Sequence, residues 1–176
     1  SFLIYSGVGG AAVTEDYTSA VFPPTDWYNI NGGNQNAGWS RSAAGFTAAG
    51  SAKMDFYNSP SGDVDALILP SVDLSTYDNA IMTFSIAAAT YSTSNDNIKI
   101  KVSTNCGTTW NPIWNKTGAS LATVGSMTSA FTPSSAAQWR SESVNLSNFT
   151  GTNRTNVMIK FECLSAGGNN AYIDDI

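Results

Sequence analysis

Hydrophobic positions in this chain recur at every second residue, not at every third or fourth. From Asn97 to Ser103, Ile98, Ile100 and Val102 fall on one side and Lys99, Lys101 and Ser103 on the other. From Val157 to Cys163 the same alternation sets Val157, Ile159, Phe161 and Cys163 inward, and Met158, Lys160 and Glu162 outward. Period two over six or seven residues is the mark of a half-buried antiparallel strand. Further strands are predicted over Phe2–Tyr5, Ser51–Tyr57, Ala66–Leu69, Ala80–Ala88, Arg140–Leu146 and Ala171–Ile176. Turn clusters separate them, among them Asn31-Gly32-Gly33-Asn34, Ser59-Pro60-Ser61-Gly62, Asn105-Cys106-Gly107 and Gly167-Gly168-Asn169. Many short strands with turn punctuation and no helical period predict an all-β, antiparallel β-sandwich or jelly roll in one domain.

Composition strengthens that reading. Charged residues make up 12% of the 176 positions, about half the usual share, and Ser, Thr, Asn and Gly carry the polarity instead. Thr suits pleated sheets and Asn and Gly suit tight turns. The net charge of −5 and the absence of any basic run argue against a nucleic-acid partner. No stretch of 18 apolar residues exists, so no membrane span is expected. The Ser-Phe-Leu-Ile-Tyr-Ser opening lacks the basic flank of a signal peptide. Both ends read as cuts in a longer chain, with residues 1–12 an arm from a preceding domain and 13–176 the sandwich.

Two cysteines allow one disulfide. Strand parity carried from Val102 through Thr104 turns Cys106 inward, as its own strand does Cys163. They are read either as a bridge or as two buried thiols acting as small hydrophobes.

Several segments together resemble one family: Phe22-Pro23-Pro24-Thr25-Asp26-Trp27, Asp65-Ala66-Leu67-Ile68-Leu69-Pro70 with Val72-Asp73-Leu74-Ser75, and Ser103-Thr104-Asn105-Cys106-Gly107-Thr108-Thr109-Trp110. Gly118 to Thr123, Phe131-Thr132-Pro133, Gln138-Trp139-Arg140 and Gly168 to Ile176 follow in order. In this order they are similar to the MAM-like jelly-roll domains of Bacteroidetes surface and secreted proteins. Cleaved-adhesin domains of gingipains and C-terminal regions of pappalysin-type metalloproteases belong to that group. The resemblance implies a galactose-binding-like sandwich in modular proteins exported by type IX secretion. It also implies a structural Ca²⁺ between an acid near the first strand, here Glu15 or Asp16, and Asp174 of the closing motif. The family's usual Glu-Asp-Phe-Glu departs here to Glu15-Asp16-Tyr17-Thr18, Asp26 stands where Gly is usual, and Asn105 where Asp is usual. Beside the Ca²⁺ reading stands a plainer one, in which Asp174 or Asp175 simply accepts hydrogen bonds at a strand end.

Candidate chemistry is sparse. Histidine is absent, which removes a Ser-His-Asp triad, a Cys-His pair and every histidine zinc site. Paired carboxylates remain: Asp63 and Asp65 alternate across Val64, and Asp174 adjoins Asp175. A glycosidase needs two acids facing each other across a sugar, whereas Asp63 follows a turn glycine and Asp65 opens a strand, which is ordinary structural placement. Five tryptophans and seven tyrosines invite carbohydrate stacking. Trp27, Trp39, Trp110 and Trp139 match family packing positions, leaving Trp114, Tyr91 and Tyr57, with Tyr28, as an exposed platform. The expected function is a non-catalytic adhesion or substrate-attachment module of a secreted or cell-surface protein. Its partners would be carbohydrate, a host or matrix protein, and neighbouring domains. A spacer domain and a glycoside hydrolase are the alternatives.

Overall fold

The computed structural model describes residues 13–33 and 37–176; the expected arm and the Phe2–Tyr5 strand lie outside them. Among the described residues, ten strands form two antiparallel five-stranded sheets. They are β1 (Tyr28–Ile30), β2 (Trp39–Ser42), β3 (Ser51–Met54), β4 (Val64–Ile68), β5 (Ile81–Ala88), β6 (Asn97–Ser103), β7 (Asn111–Thr117), β8 (Arg140–Asn145), β9 (Met158–Leu164) and β10 (Ala171–Asp174). One sheet runs β1-β4-β9-β6-β7 and the other β2-β3-β10-β5-β8. Neighbours in each sheet are mostly distant in sequence, as a jelly roll requires. Helical structure among the described residues is limited to three short 3₁₀ turns, and no helix is long and apolar enough to cross a membrane.

The two alternating runs fall where their periodicity put them. β6 and β9 pair along their full length, Ile98 opposite Cys163 and Ser103 opposite Met158. Ile98, Ile100, Val102, Phe161 and Cys163 are fully buried between the sheets. Phe161 sits at the centre, edge-on to Phe84 of β5 at 5.3 Å and near Trp39 of β2 at 6.3 Å. Each such side chain stabilises the fold by about 1.5–3 kcal/mol. Met158, expected on the solvent side, is buried instead, opposite Ser103; near this strand end the turn after β6 is held by the Asn156 amide, which donates to Cys106 Sγ at 3.6 Å.

The same turn removes the disulfide. Cys106 and Cys163 are both free. Cys106 lies in a tight turn at φ +56 and is exposed, so strand parity does not reach it. Five paired positions separate Ser103–Met158 from Ile98–Cys163, roughly 16 Å of strand, and a bridge needs Cα atoms within about 7 Å. Burial, then the charges of Asp65, Glu162 and Asp96, push the Cys163 thiol well above its usual range. It is an inert packing group.

The outer faces of the two sheets differ. On β6 and β9, Glu162 pairs with Lys101 at 2.6 Å and Lys160 at 2.7 Å, and Lys160 lies 4.6 Å from the Trp110 ring centre. Burial raises the Glu162 carboxyl, but the hydrogen bonds and charges of the two lysines outweigh it and hold it below the ordinary value. The outer face of β5 and β10 is covered by the chain itself. Val124, Met127, Phe131 and Trp139 pack on Ala87, Ala89 and Tyr172. The Tyr172 hydroxyl donates to the Phe131 carbonyl at 2.7 Å, and the Thr123 N–H to the Ala88 carbonyl at 2.8 Å.

Candidate functional site

With one sheet face covered, two of the exposed tyrosines, Tyr57 and Tyr91, meet at one end of the sandwich. There β3 and β5 stop, β10 begins, and the intervening loops meet. Three buried polar side chains knit them together. Asp96, just before β6, accepts N–H bonds from Ala166 at 2.8 Å, Gly168 at 3.2 Å and Asn169 at 3.1 Å. Burial pushes its carboxyl up and those donors pull it back, leaving it raised. The Asn169 amide donates to the carbonyls of Met127 (3.0 Å) and Ser129 (2.9 Å), and its oxygen accepts the Phe131 N–H at 2.8 Å. The Asn170 amide donates to the Phe131 carbonyl at 3.2 Å, and its oxygen accepts the Tyr57 N–H at 3.2 Å. Gly168 is obligatory: a Cβ there would stand 1.7 Å from Asp96 Oδ2.

On this base stand Tyr57 and Tyr91, about 40% exposed each (38% and 41%). Their rings meet edge to face, centroids 6.4 Å apart and planes at 65°. The Tyr57 hydroxyl donates to the Thr128 carbonyl at 3.3 Å, and the Tyr91 N–H to Ser94 Oγ at 3.2 Å. Ser92, at φ +52, donates its N–H to Ser126 Oγ at 2.8 Å. Beside Tyr57, Asn58 donates to Asp55 at 3.1 and 3.0 Å, and Lys53 pairs with Asp55 at 3.2 Å. Two aromatic faces beside amide, carboxylate and ammonium groups suit a sugar, whose C–H faces stack and whose hydroxyls pair. The ring orientation is set by main chain that buried side chains already hold, so binding orders little.

The structure thus joins two of the four platform residues, Tyr57 and Tyr91, while Tyr28 lies on the edge strand β1 opposite Ile68 and Trp114 stands apart as well. Trp114 lies in β7 opposite Ile100 and packs inward, edge-on to Phe84 at 5.6 Å with Lys116 above it. It is a packing residue because β7, an unrecognised strand, turns it into the sandwich. Trp27 and Trp39 are buried as expected.

Glu15, Asp16 and Asp174 lie at the opposite end. Main-chain bonds of 3.0 Å in both directions join Glu15 to Ile176. Glu15 Oε1 accepts the Tyr17 N–H at 2.7 Å, and Asp16 Oδ1 accepts the Thr18 N–H and hydroxyl at 3.0 and 2.7 Å. Asp174 is fully buried, its two oxygens accepting the N–H groups of Phe46 (2.7 Å) and Asp175 (2.8 Å). Burial, together with the charges of Asp175 and Asp16, raises its carboxyl to about 6 against those two N–H bonds. The carbonyls of Tyr17, Thr18 and Ala49, which could complete a cation's shell, accept the Arg41 guanidinium instead, at 2.9, 3.3 and 2.9 Å. Among the described residues no three His, Cys, Asp or Glu side chains converge as metal ligands. A Ca²⁺ ion here would have to displace these bonds, so the residues as arranged do not fit one.

No protein-family model matches this chain, and no curated protein matches it in sequence. Solved structures do. The K3 cleaved adhesin domain of Lys-gingipain from Porphyromonas gingivalis W83 superposes with a TM-score of 0.66 at 15% identity, covering 93% of this chain and 95% of that one. The K1 cleaved adhesin domain of the same protein gives 0.65 at 16% identity, covering 93% and 94%. A family 11 carbohydrate-binding module from Clostridium thermocellum, solved with a β-1,3-1,4-mixed-linked tetrasaccharide, gives 0.51 at 12% identity over 94% and 95%. At these identities the likeness establishes the fold: a jelly-roll β-sandwich of the kind found in adhesin domains and carbohydrate-binding modules.

Proposed function

We propose that this domain is a non-catalytic binding module that attaches the protein carrying it to carbohydrate through the Tyr57–Tyr91 end. The observation that carries the reading is the pair itself: two exposed tyrosines in edge contact on loops pinned by Asp96, Asn169 and Asn170. The likeness to a module solved with a bound tetrasaccharide supports it. The likeness to gingipain adhesin domains supports the broader setting of a modular, exported or cell-surface protein. Type IX export and a Bacteroidetes source rest on the sequence resemblance.

The test is affinity electrophoresis and calorimetry of the domain against soluble β-glucans, galactans and xylans. Tyr57→Ala and Tyr91→Ala should each weaken binding at least tenfold, since one stacked ring contributes about 1–2 kcal/mol at such a site, while melting temperatures stay near wild type. Trp114→Ala should lower the melting temperature. Binding untouched by either tyrosine change would overturn the reading, as would capture of a protein ligand with no polysaccharide retained.

A further inference from the structure

The outer face of the β1-β4-β9-β6-β7 sheet gathers positive charge that the fold does not neutralise. The chain is acidic, with 13 Asp and Glu against 8 Lys and Arg. Yet three of its five lysines, Lys99, Lys101 and Lys160, stand together on this face. Lys101 lies directly opposite Lys160, and Lys99 opposite Glu162. Like charges facing each other across a strand pair are destabilising. Glu162 offsets that one pair, its two oxygens taking Lys101 at 2.6 Å and Lys160 at 2.7 Å. Lys99 is half-buried and has neither an ion pair nor a hydrogen bond among the described residues.

On its other side Lys99 faces Asn115 of β7, which is exposed. The Asn115 oxygen is already taken by the Asn97 amide, which leaves the Asn115 amide N–H groups as donors beside the ammonium. Facing side chains on paired strands have Cβ atoms about 5 Å apart, so both groups can donate to one anion. Three ammonium groups against one carboxylate leave two positive charges on the face. Aromatic surface borders them. Lys160 is held 4.6 Å from the Trp110 ring centre. In the cross-sheet row Lys101, Lys160, Ile68, Tyr28, the exposed Tyr28 stands two strands from Lys160, about 10 Å away. A sugar ring can lie on such a face while a neighbouring carboxylate reaches the lysines.

We propose that this sheet face binds a polysaccharide carrying uronic acids, Lys99 and Asn115 seating one carboxylate while Lys101 and Lys160 attract the next. Charge density selects that partner. Two uncompensated charges on a chain of net charge −5 suit a polymer with one carboxylate per sugar. A nucleic-acid duplex, with a charge about every 1.7 Å, is repelled by the rest of the surface. The lysines of β6 and β9 are already ordered by Glu162 and Trp110, so seating the ligand freezes little. The surface is separate from the Tyr57–Tyr91 end and does not depend on it.

The experiment is calorimetric titration of the domain with polygalacturonate, with its fully methyl-esterified form and with poly-glutamate. Polygalacturonate should bind, and binding should weaken steeply as salt rises. The methyl ester, whose carboxylates are capped, and poly-glutamate, which has no sugar ring, should both bind at least tenfold more weakly. Lys99→Gln should weaken polygalacturonate binding roughly tenfold, as loss of one charge-assisted hydrogen bond does, with the melting temperature near wild type. Lys99→Arg, which keeps the charge, should restore most of the affinity. No binding of polygalacturonate, or equal binding of its methyl ester or of poly-glutamate, would overturn the proposal. So would binding that Lys99→Gln leaves intact and Tyr57→Ala abolishes. Should Lys99→Gln fail to fold, the wild-type comparison of the three polymers decides alone. Binding of neutral glycans at the tyrosine end is read separately, so failure here leaves the attachment reading standing.

Discussion

At the scale of single residues, three buried or half-buried acids respond to pH in opposite directions. Asp174 has a folded carboxyl near 6 against an ordinary 3.8, raised by burial first and by Asp175 and Asp16 next, despite the N–H bonds of Phe46 and Asp175. The folded state therefore holds that proton more tightly than the unfolded one. Its contribution is fully present below pH 3.8 and is lost as pH rises through about 6. Glu142 and Glu162 behave the other way. Burial raises both, but the hydrogen bonds and charges of Lys116 and Arg140, and of Lys101 and Lys160, hold them below 4.5. Their contribution is present above that value and lost as pH falls through the folded value. Urea denaturation between pH 7 and pH 5 should show the midpoint rising as pH falls, and Asp174→Asn should flatten that rise. An unchanged slope in the variant would mean that Asp174 is ionised throughout. Residue by residue, the sequence made the tyrosines legible because few other aromatics lacked a packing role. It misjudged Trp114 for a reason one level up, since nothing in Asn111-Pro112-Ile113-Trp114-Asn115 alternates.

That failure repeats at the scale of elements. The strands foreseen from periodicity include every central one: β4, β9 and β6 in one sheet, β3, β10 and β5 in the other. The three missed, β1, β2 and β7, are all edges. An edge strand buries one face incompletely and tolerates Pro, as β7 does at Pro112, so its hydrophobic alternation is weak. Trp39-Ser40-Arg41-Ser42 holds a single apolar residue, and its pairing with β3 is fixed by main-chain bonds that composition does not record. Parity also fails where a strand ends in a turn. Asn105 ends the period at β6 by accepting the Thr109 N–H at 3.0 Å, and Cys106 beyond it points out. The connection from β9 to β10 is equally a matter of specific bonds. Gly168→Ala should drive a methyl group into Asp96 and cost about 1–3 kcal/mol, lowering the melting temperature and loosening the tyrosine end together. Wild-type stability with wild-type ligand affinity would show that the loop can shift aside freely.

The whole molecule divides its labour between a deep interior and a thin tip. The central layer, from Leu67 through Phe161 to Ile173, is assembled from residues 0% exposed, and the segment carrying Phe131 seals one outer face. Class and strand content could be foreseen from the chain, but this third layer could not, because Val124, Met127 and Phe131 sit in a Ser/Thr-rich stretch with no period. Tyr57 and Tyr91 belong to neither layer. Their side chains touch each other and one carbonyl, while the main chain beneath them is held by Asp96, Asn169 and Asn170. A library randomised at Tyr57, Asn58, Tyr91 and Ser92 should therefore keep melting temperatures within a few degrees of the parent, with Gly at position 92 the best tolerated because φ is positive there. A collapse of most members would mean that the tip helps to fold the domain. A tip so decoupled from its support is free to drift while its foundation stays fixed. The same architecture is met at 15 to 16% identity in other domains, and side chains standing on such a tip can change without disturbing it.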